Sequence, residues 1–446
     1  MGEEKRLRDY SLWTQLRFWL FSLIGILIFV VPVSIGGTSQ IGLVHIGNAI
    51  TAVLGGFGDY IIYAFALLGL FMLIKERRQR FKGFFNILMS ALSVLGIVCM
   101  SLYLFGAAPA FLEDERFMPF IMEQVLYPTL LYTGISPLFM PFLLNSGLLE
   151  FVGVPLKPVL RPVFKLPGRA AVITVSAFFG SAPVGIVVVD NLYKDGRLTY
   201  KEAYLLGTGF ATTAISFMVI LSGLGGISDY WGLYLGACLL GLAVIAIIQV
   251  RLYPTSRIPE TTFQNMPYVE EPDAKGGGLL IKRMLLEGYA RADEMRNPLS
   301  DCLEMLKTST KLLGNIMAST CGMVVVGLAI NYYTPLLDWL GYLFYPFAFI
   351  TGLGDPVTVG KGAASALFVP SLPAVYAAEV SSLASKVVLC SMPVLGIISI
   401  PLTMPVFFNA TVKYKAKDLL LLYVERTVLT TIVVGIIVHI YVWLFI

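Results

Sequence analysis

Nine long apolar segments constrain this chain of 446 residues more strongly than any other feature of its sequence. About 20 apolar residues in a helix cross the hydrocarbon core of a bilayer, and inside lipid only helices and closed barrels satisfy every backbone polar group. We predict membrane-spanning helices over Phe18–Gly36, Ile50–Ile74, Asn86–Gly106, Pro119–Gly147, Glu202–Leu224, Trp231–Val250, Leu312–Tyr332, Lys386–Phe408 and Thr427–Ile446. The sequence therefore predicts an all-α polytopic membrane protein whose surroundings are the lipid bilayer.

The composition excludes most other classes of protein. Only 13% of the residues are charged, against roughly 25% in soluble chains, which excludes water-soluble enzymes, disulfide scaffolds and disordered tails. The net charge of +4 does not indicate nucleic-acid binding, because the basic residues cluster in the loops between apolar segments. The chain has two histidines, five scattered cysteines and no GxxxxGK[ST], HExxH or GxSxG motif. We therefore expect no enzymatic activity, no metal site and no cofactor.

Two further apolar segments, Ala171–Asp190 and Thr358–Glu379, are each interrupted by proline. If the N-terminus is cytoplasmic, all but three of the 32 Lys and Arg residues face the cytoplasm, the exceptions being Arg116, Lys361 and Lys386. Such an asymmetry sets membrane orientation, and it requires both interrupted segments to enter and leave on the same side. We predict a bacterial inner-membrane protein with a cytoplasmic N-terminus and two re-entrant hairpins. Two ordinary kinked spans are the alternative.

The chain also contains a weak internal repeat. Leu148–Gly153 resembles Leu336–Gly341, and Ser181–Pro183 resembles Ser371–Pro373 at a similar offset. The predicted orientation makes the two copies inverted, and inverted repeats with broken helices at matching positions are typical of secondary transporters. The predicted boundaries are residues 1–118 for N-terminal scaffold spans, 119–228 for the first repeat, 229–311 for a span and a cytoplasmic loop, 312–412 for the second repeat and 413–446 for the last span.

The hairpin tips and the hydroxyl-rich spans behind them supply the candidate substrate-binding residues. Backbone groups that proline and glycine free from helical hydrogen bonds are tolerated at membrane depth only where they are buried or line a cavity. Pro393, Pro401 and Pro405 predict an interrupted helix in the second repeat. The candidates are Gly180, Ser181, Pro183, Thr208, Thr212, Thr213 and Ser216 in the first repeat, and Ser371, Pro373, Ser391, Ser399 and Asn409 in the second. Hydrogen bonding between packed helices is the alternative role of each hydroxyl.

Spacing and charge add three expectations. Thr208, Thr212, Thr213 and Ser216 fall at intervals of 4, 1 and 3 residues, close to one face of a helix. Residues 279–311 mix Leu and Met with charged residues and predict a surface or interfacial helix that joins the two repeats. Because almost no charge lies near the predicted site, we expect recognition by hydroxyl and backbone groups and no doubly charged substrate.

Four residues in or near apolar segments are candidates for coupling transport to Na⁺ or H⁺. Asp190 and Asn191 close the first hairpin, Asp355 precedes the second, and Asp59 lies beside glycines in the second span. Ionisable side chains inside a membrane are costly to maintain and therefore indicate a function. A solvated interfacial turn is the alternative for Asp190 and Asn191, and turn formation is the alternative for Asp355.

These residues carry a resemblance to a known family. Leu148–Leu224, with the turn Gly180–Gly185 and the span segment Gly207–Thr213, resembles the Gate or nucleoside-recognition domain, and about Leu312–Asn409 resembles its partner copy. The whole chain is similar to the bacterial YjiH family, whose relatives include concentrative nucleoside transporters and the membrane part of FeoB. The resemblance implies two hairpins and partly unwound spans around a substrate site driven by Na⁺ or H⁺.

The chain departs from both groups of relatives at the residues that set specificity. Nucleoside transporters place Gln, Asn and Glu near their hairpin tips, whereas these tips offer only Ser181 and Ser371. Clustered Cys and Met ligands, which would suit iron, are missing from the sequence. The first hypothesis is a secondary active, ion-coupled transporter of a small polar solute, nucleoside-like or amino-acid-like, with its site between the two tips.

Two other functions stay open. The alternatives are a channel or permeation subunit that acts with a partner, and a non-transporting membrane sensor or assembly factor. A homo-oligomer and a small membrane partner subunit are both compatible with the sequence.

Overall fold

The computed structural model describes residues 7, 10–35, 38–75, 84–167, 170, 174, 182–268, 280–295, 298–400 and 403–445. Nearly all the regular structure in these ranges is helical, and the one sheet found there pairs two short antiparallel strands. Lipid favours this outcome because a helix satisfies its own backbone groups. The predicted fold class, an all-α polytopic membrane protein, is confirmed.

The N-terminal half consists of helices and one pair of short antiparallel strands. Its elements are α1 (Leu12–Phe29), β1 (Pro32–Ile35), β2 (Thr38–Ile41), α2 (Gly42–Leu54), a 3₁₀ turn (Gly55–Phe57), α3 (Gly58–Lys75), α4 (Phe84–Leu104), α5 (Ala110–Glu113), α6 (Met118–Phe120), a π-helical turn (Ile121–Leu126), α7 (Tyr127–Leu144), α8 (Leu148–Val159) and a second π-helical turn (Leu160–Phe164).

The remaining elements include several short helices. They are α9 (Ala182–Lys194), α10 (Tyr200–Gly209), α11 (Ile215–Leu224), α12 (Trp231–Gln249), α13 (Leu280–Glu294), α14 (Pro298–Tyr333), α15 (Leu336–Gly341), α16 (Tyr345–Ile350), α17 (Pro356–Ser365), α18 (Leu372–Glu379), α19 (Leu383–Gly396), α20 (Met404–Asn409) and α21 (Ala416–Phe445). Three 3₁₀ turns cover Ser228–Tyr230, Thr255–Arg257 and Phe263–Asn265.

Five of the predicted spans correspond to helices that are long and apolar enough to cross a membrane. These helices cover Leu12–Phe29, Gly42–Met72, Ile87–Leu104, Ser228–Gln249 and Ala416–Phe445. The first lies about six residues earlier than the predicted Phe18–Gly36, because Pro32 lacks an amide donor and the β-branched residues after it pair as strand β1.

The other four predicted spans take different forms. Pro119–Gly147 is covered by α6, a π-helical turn and α7, and Leu312–Tyr332 forms the second half of the long helix α14. Glu202–Leu224 is interrupted between α10 and α11. The spacing of its residues did not predict this interruption. Lys386–Phe408 is interrupted between α19 and α20, and this confirms the expectation drawn from its prolines.

Helix α14 organises the N-terminal spans. It packs against α3, α4 and α7, and its 36 residues extend for roughly 54 Å. Gly322 of α14 and Gly96 of α4 lie at the crossing, where a Cβ on Gly322 would overlap the Leu92 carbonyl and a Cβ on Gly96 would overlap the Ala318 carbonyl. Small residues let membrane helices approach in this way, so backbone contact holds the two helices together.

The segment between the repeats forms parts of two helices where one was predicted. Helix α13 ends at Glu294, and α14 begins at Pro298 and continues into the predicted span Leu312–Tyr332. Helix α13 packs on α1 and α8, and it buries Tyr289 and Ala292 there. Lys157 and Glu287 form an ion pair at 2.8 Å across this contact. The first part of the segment, α13, is therefore packed against the rest of the protein, because its apolar face contacts α1.

Several described elements follow the same order in the two halves. A connector helix (α8 or α15) precedes an interrupted helix (α10–α11 or α19–α20) and a long apolar helix (α12 or α21) in each. The hairpin of the second half consists of α17 and α18, which pack against each other. Of the predicted first hairpin, the structure describes α9, which covers the second arm. Helix α9 contacts α20 and α18 contacts α11, so α9 and α18 each pack on part of the interrupted helix of the other half.

Candidate functional site

Two helices of the fold are interrupted, and the described residues of both interruptions are mostly buried. Helix α10 starts with a capping box formed by Thr199 and Glu202 and ends at Gly209, and α11 starts at Ile215. Helix α19 ends at Gly396, and α20 starts at Met404 with a proline in its first turn. Proline and glycine explain both stops, since they weaken or block the continuing helix.

The interruptions of the two halves meet each other and the second hairpin. The Thr213 hydroxyl donates to the Pro393 carbonyl at 3.1 Å. The amide of Ile400 donates to the Leu367 carbonyl at the hairpin tip, at 2.9 Å. These bonds use backbone groups that the broken helices have left unpaired, which is how irregular backbone is tolerated in a membrane protein.

The second interruption is held by one hydroxyl and carries backbone strain. Thr403 donates to the Ile397 carbonyl at 2.9 Å and accepts from the Ser399 amide at 2.9 Å. Ile397 has φ +60° and ψ −41°, which is a rare conformation for a β-branched residue. Strain of this kind costs about 1–3 kcal/mol and persists at ligand sites and switch regions.

A small cavity lies where the interruptions meet. Its volume of about 10 Å³ has room for about one water molecule. Thr213 and Ser399 contribute to its wall from the two interruptions, Pro393 contributes from the last turn of α19, and Pro370 contributes from the second hairpin tip. Ala182, the first residue of α9, also lines it. The described parts of both interrupted helices, the second hairpin tip and the start of α9 therefore meet at this cavity.

Among the predicted binding residues, Thr213 and Ser399 line the cavity. Ser371 and Pro373 are buried at the start of α18, beside the lining residue Pro370. Thr212 is buried in the first interruption, and its hydroxyl has no hydrogen-bond partner in the part of the chain that the structure describes. Thr212 and Thr213 lie outside any helix, so the predicted single helical face with Thr208 and Ser216 is wrong.

Two predicted binding residues have hydrogen bonds typical of helix packing. Ser391 is fully buried, donates to the Val387 carbonyl at 2.7 Å and accepts from the Cys238 thiol of α12 at 3.3 Å. Thr208 donates to the Tyr204 carbonyl of its own helix at 2.8 Å and accepts from the Gln249 side chain of α12 at 3.1 Å. The alternative role, hydrogen bonding between packed helices, describes both of these side chains.

Five predicted residues fall wholly or partly outside the described structure. Gly180 and Ser181, at the first hairpin tip, lie outside the described residues. Pro183, Ser216 and Asn409 have described backbones in α9, α11 and α20, and their side chains are outside the description.

Asp190 is buried within helix α9, so the alternative role in a solvated interfacial turn is wrong for this residue. One carboxylate oxygen accepts from the amides of Thr411 at 2.7 Å and Val412 at 2.9 Å, and the other pairs with Lys194 at 2.8 Å. Asp190 therefore ties α9 to the chain that follows α20. The neighbouring Asn191 is exposed.

The other two acidic candidates lie apart from the cavity lining. Asp355 adopts a left-handed conformation and caps α17, where it accepts from the Thr358 hydroxyl at 2.8 Å. This is the turn-forming role proposed from the sequence. Asp59 lies in the first turn of α3, among the N-terminal spans that pack on α14.

Sequence reasoning missed Arg426, which it counted with the cytoplasmic loop before the last span. Helix α21 begins at Ala416, so Arg426 lies inside it and its side chain is fully buried. Its Nε donates to the Leu395 carbonyl at 2.6 Å, and its Nη1 donates to the Gln249 side chain. Helical spacing could have found it, since Leu419, Leu422 and Arg426 share one buried face.

The missed cavity residues are mainly apolar. Phe217, Met392 and Tyr423 line the cavity, and the Tyr423 hydroxyl donates to the Ala363 carbonyl of α17. Apolar side chains give no signal in a search for polar candidates, so only their position identifies them.

Part of the chain that forms this geometry matches a known protein family. Residues 128–228 match the Gate family, described as nucleoside recognition. The match covers α7, α8, α9 and the first interrupted helix, and it confirms the resemblance drawn from Leu148–Leu224. The chain is thus a polytopic membrane protein with a Gate segment in its first half.

Relatives and solved structures extend the comparison. A protein of Alkalihalophilus pseudofirmus, described as uncharacterized, is 23% identical over 99% of this chain and 98% of its own length. The sporulation integral membrane protein YlbJ of Bacillus subtilis is 29% identical over 19% of this chain and 20% of its own length. An inward-facing, substrate-bound structure of CNTnw aligns with 97% of this chain and 91% of its own at 14% identity, with a TM-score of 0.44. An outward-facing CNTnw variant aligns with 98% and 93% at 13% identity, with a TM-score of 0.47.

Proposed function

We propose that this protein is a secondary transporter that carries a small polar solute through the cavity between its two interrupted helices. The observation that carries the proposal is the meeting of the two interruptions at a buried cavity, bridged by the Thr213–Pro393 hydrogen bond. Broken helices offer unpaired carbonyl and amide groups at membrane depth, and secondary transporters use such groups to bind solutes and ions. The Gate match over residues 128–228 supports the same function.

The chemistry of the cavity wall favours a solute with both polar and apolar parts. Its polar groups include the hydroxyls of Thr213 and Ser399 and the backbone carbonyl of Pro393. Its apolar surface includes Phe217 and Met392. A nucleoside-like or amino-acid-like solute has this mixture, because ligand sites combine an apolar lining with a few placed polar groups.

A carrier cycle requires the cavity to open. With room for about one water molecule, the cavity is too small for either class of solute. The hairpin arms pack on the interrupted helices of the opposite half, so a movement of one half against the other would open it. We propose that a Na⁺ or H⁺ gradient drives this cycle.

Uptake into proteoliposomes tests the proposal. Purified protein is reconstituted, and uptake of labelled uridine, serine and leucine is measured with and without an inward Na⁺ or H⁺ gradient. Accumulation of one solute above its equilibrium level is expected only with a gradient. Equilibration without accumulation would indicate a channel, and an absence of flux for every solute in a broad panel would overturn the transport proposal.

A paired substitution tests the position of the site. Ser399→Trp fills the cavity and should abolish uptake, while Ser381→Trp, at an exposed position near the start of α19, should leave uptake unchanged. Both variants are checked for native melting temperature. Wild-type uptake by a folded Ser399→Trp variant would contradict the proposed site.

A further inference from the structure

Arg426 is a fully buried cation in the membrane part of the fold. Its guanidinium bonds two neutral oxygens, the Leu395 carbonyl at 2.6 Å and the Gln249 side-chain oxygen. Gln249 in turn donates to the Thr208 hydroxyl at 3.1 Å. This network joins α21 to the last turn of α19 and to the end of α10.

The positive charge of Arg426 has no ionic partner in the described part of the chain. No described carboxylate oxygen lies within the 4.0 Å that defines an ion pair. Asp418 lies two turns earlier on α21 and contacts the Tyr253 hydroxyl at 3.4 Å, and Glu425 is its neighbour in sequence. An unpaired charge buried in a membrane protein is costly, and such residues mark functional sites.

One end of the guanidinium is unused. Its Nη2 atom is buried and has no hydrogen-bond partner among the described residues. Each terminal nitrogen of a guanidinium carries two N–H groups. Nη2 and the N–H of Nη1 that does not donate to Gln249 form a planar fork of donors, and such a fork matches the two oxygens of a carboxylate or phosphate. A buried donor without an acceptor costs about 1–3 kcal/mol, so an arriving anion would offset both the unpaired charge and the unpaired donor.

Arg426 is also next to the candidate site. Tyr423, one helical turn earlier on α21, lines the cavity, and so does Gly396, the residue after Leu395. The Leu395 carbonyl that holds the guanidinium is therefore in the peptide unit that leads directly to a residue of the cavity wall.

We infer that Arg426 binds an anionic group of the transported solute, and that the solute class is a small monoanion with a carboxylate or a phosphodiester. This inference rests on the proposed transport function. An anionic solute differs from a neutral nucleoside. The inference therefore replaces the expectation that recognition uses hydroxyl and backbone groups alone. The hydroxyls of Thr213 and Ser399 would then contact the uncharged part of the solute.

The test measures anion binding directly, with acetate and inorganic phosphate as probes. Purified protein is melted in the presence of a thiol-reactive dye, because all five cysteines are free and buried and become accessible on unfolding. Each anion replaces chloride at constant ionic strength. For wild type we expect a saturable rise in melting temperature of about 2 °C with at least one probe. The probe with the lower half-saturation identifies a carboxylate or a phosphate group.

Two variants make the test specific. Arg426→Gln should show no saturable rise, while Arg251→Gln, which removes an exposed arginine just after α12, should behave as wild type. No saturable rise in wild type, or an unchanged rise in Arg426→Gln, would overturn the inference. If Arg426→Gln does not fold, Arg426→Lys retains the charge without the fork, and its half-saturation should be about tenfold higher. An unchanged half-saturation in that variant would also overturn the inference.

The outcome separates the two proposals. Uptake of a neutral solute without any anion effect would leave the transport proposal standing and remove the inference. An anion effect that depends on Arg426, with no uptake of any solute, would leave the binding site standing and remove the transport proposal.

Discussion

At the residue scale, the hydroxyl of Thr213 is the direct link between the two interrupted helices. It donates to the Pro393 carbonyl, and both residues line the cavity. Thr213→Val keeps the shape and removes the donor, which leaves a buried carbonyl unpaired and should cost about 1 kcal/mol of stability. We expect uptake of the transported solute to fall at least tenfold in proteoliposomes.

Thr431→Val is the matched control for this change. The Thr431 hydroxyl is also buried and donates to a carbonyl, but its partner is Thr427 on its own helix. Equal loss of uptake in both variants would mean that Thr213 acts only through general stability.

Asp190 permits a second test at this scale, because its two oxygens have different partners. Asp190→Asn keeps an acceptor for the amides of Thr411 and Val412 and loses the ion pair with Lys194, whose side chain is 44% exposed. Partly exposed ion pairs contribute little, whereas unpaired buried amides cost about 1–3 kcal/mol. We expect Asp190→Ala to lower the melting temperature clearly and Asp190→Asn to lower it by less than half as much.

The same pair of variants separates a structural role from ion coupling. If Asp190 couples transport to a cation, Asp190→Asn abolishes the gradient dependence of uptake although the protein remains stable. If its role is to tie α9 to the chain after α20, gradient dependence persists in Asp190→Asn.

At the element scale, the crossing of α4 and α14 depends on two glycines. A Cβ on Gly322 would overlap the Leu92 carbonyl, and the facing Gly96 is equally close to the Ala318 carbonyl. Gly322→Leu should force the helices apart at a cost of about 3 kcal/mol, as overpacking of a filled interior does. The thiol-dye melt measures the change.

Gly236→Leu is the matched control for the crossing. Gly236 lies within α12, and a Cβ there would have no atom within 4 Å. The control should melt within about 1 °C of wild type, since a substitution into open space away from packed contacts has little effect. Similar destabilisation of both variants would contradict a role for close backbone approach in holding α4 and α14.

The interrupted helices show how far local sequence predicts an element. The break between α19 and α20 follows from Pro393, Pro401 and Pro405, because proline removes helical hydrogen bonds whatever its neighbours. The break between α10 and α11 has no proline within it. Its residues Thr212 and Thr213 fit a helical face by spacing, and the pairing of Thr213 with the other half favours the open segment instead.

At the scale of the whole molecule, the order of elements is repeated in the two halves, and the basic residues predict that the copies are inverted. Asp195 follows α9 and Thr334 follows α14, and both are exposed. An inverted pair with a cytoplasmic N-terminus places Asp195 inside and Thr334 outside. In right-side-out vesicles, a membrane-impermeant thiol reagent should label Thr334→Cys and leave Asp195→Cys unlabelled.

The native cysteines make this labelling feasible without their removal. All five are free and buried, so the unmodified protein should give little background. Labelling of both introduced cysteines in intact vesicles, or of neither, would contradict the inverted arrangement.

The sequence by itself determined the membrane environment, the helical class, the proline-broken span Lys386–Phe408 of the second repeat and the Gate resemblance. These properties follow from local features: the length of an apolar run, the lack of a proline amide and the type of residue at a turn. Each acts within a few residues of its own position, so no tertiary information is needed.

Only the tertiary structure decided which of the candidate residues meet. Asp190 binds amides 221 and 222 positions away, and Thr213 binds a carbonyl 180 positions away. Arg426 appeared to belong to a basic loop until the start of α21 and its packing against α19 and α12 placed it in the interior. Contacts of this range depend on how whole helices pack, and the spacing of residues along the chain does not encode that packing.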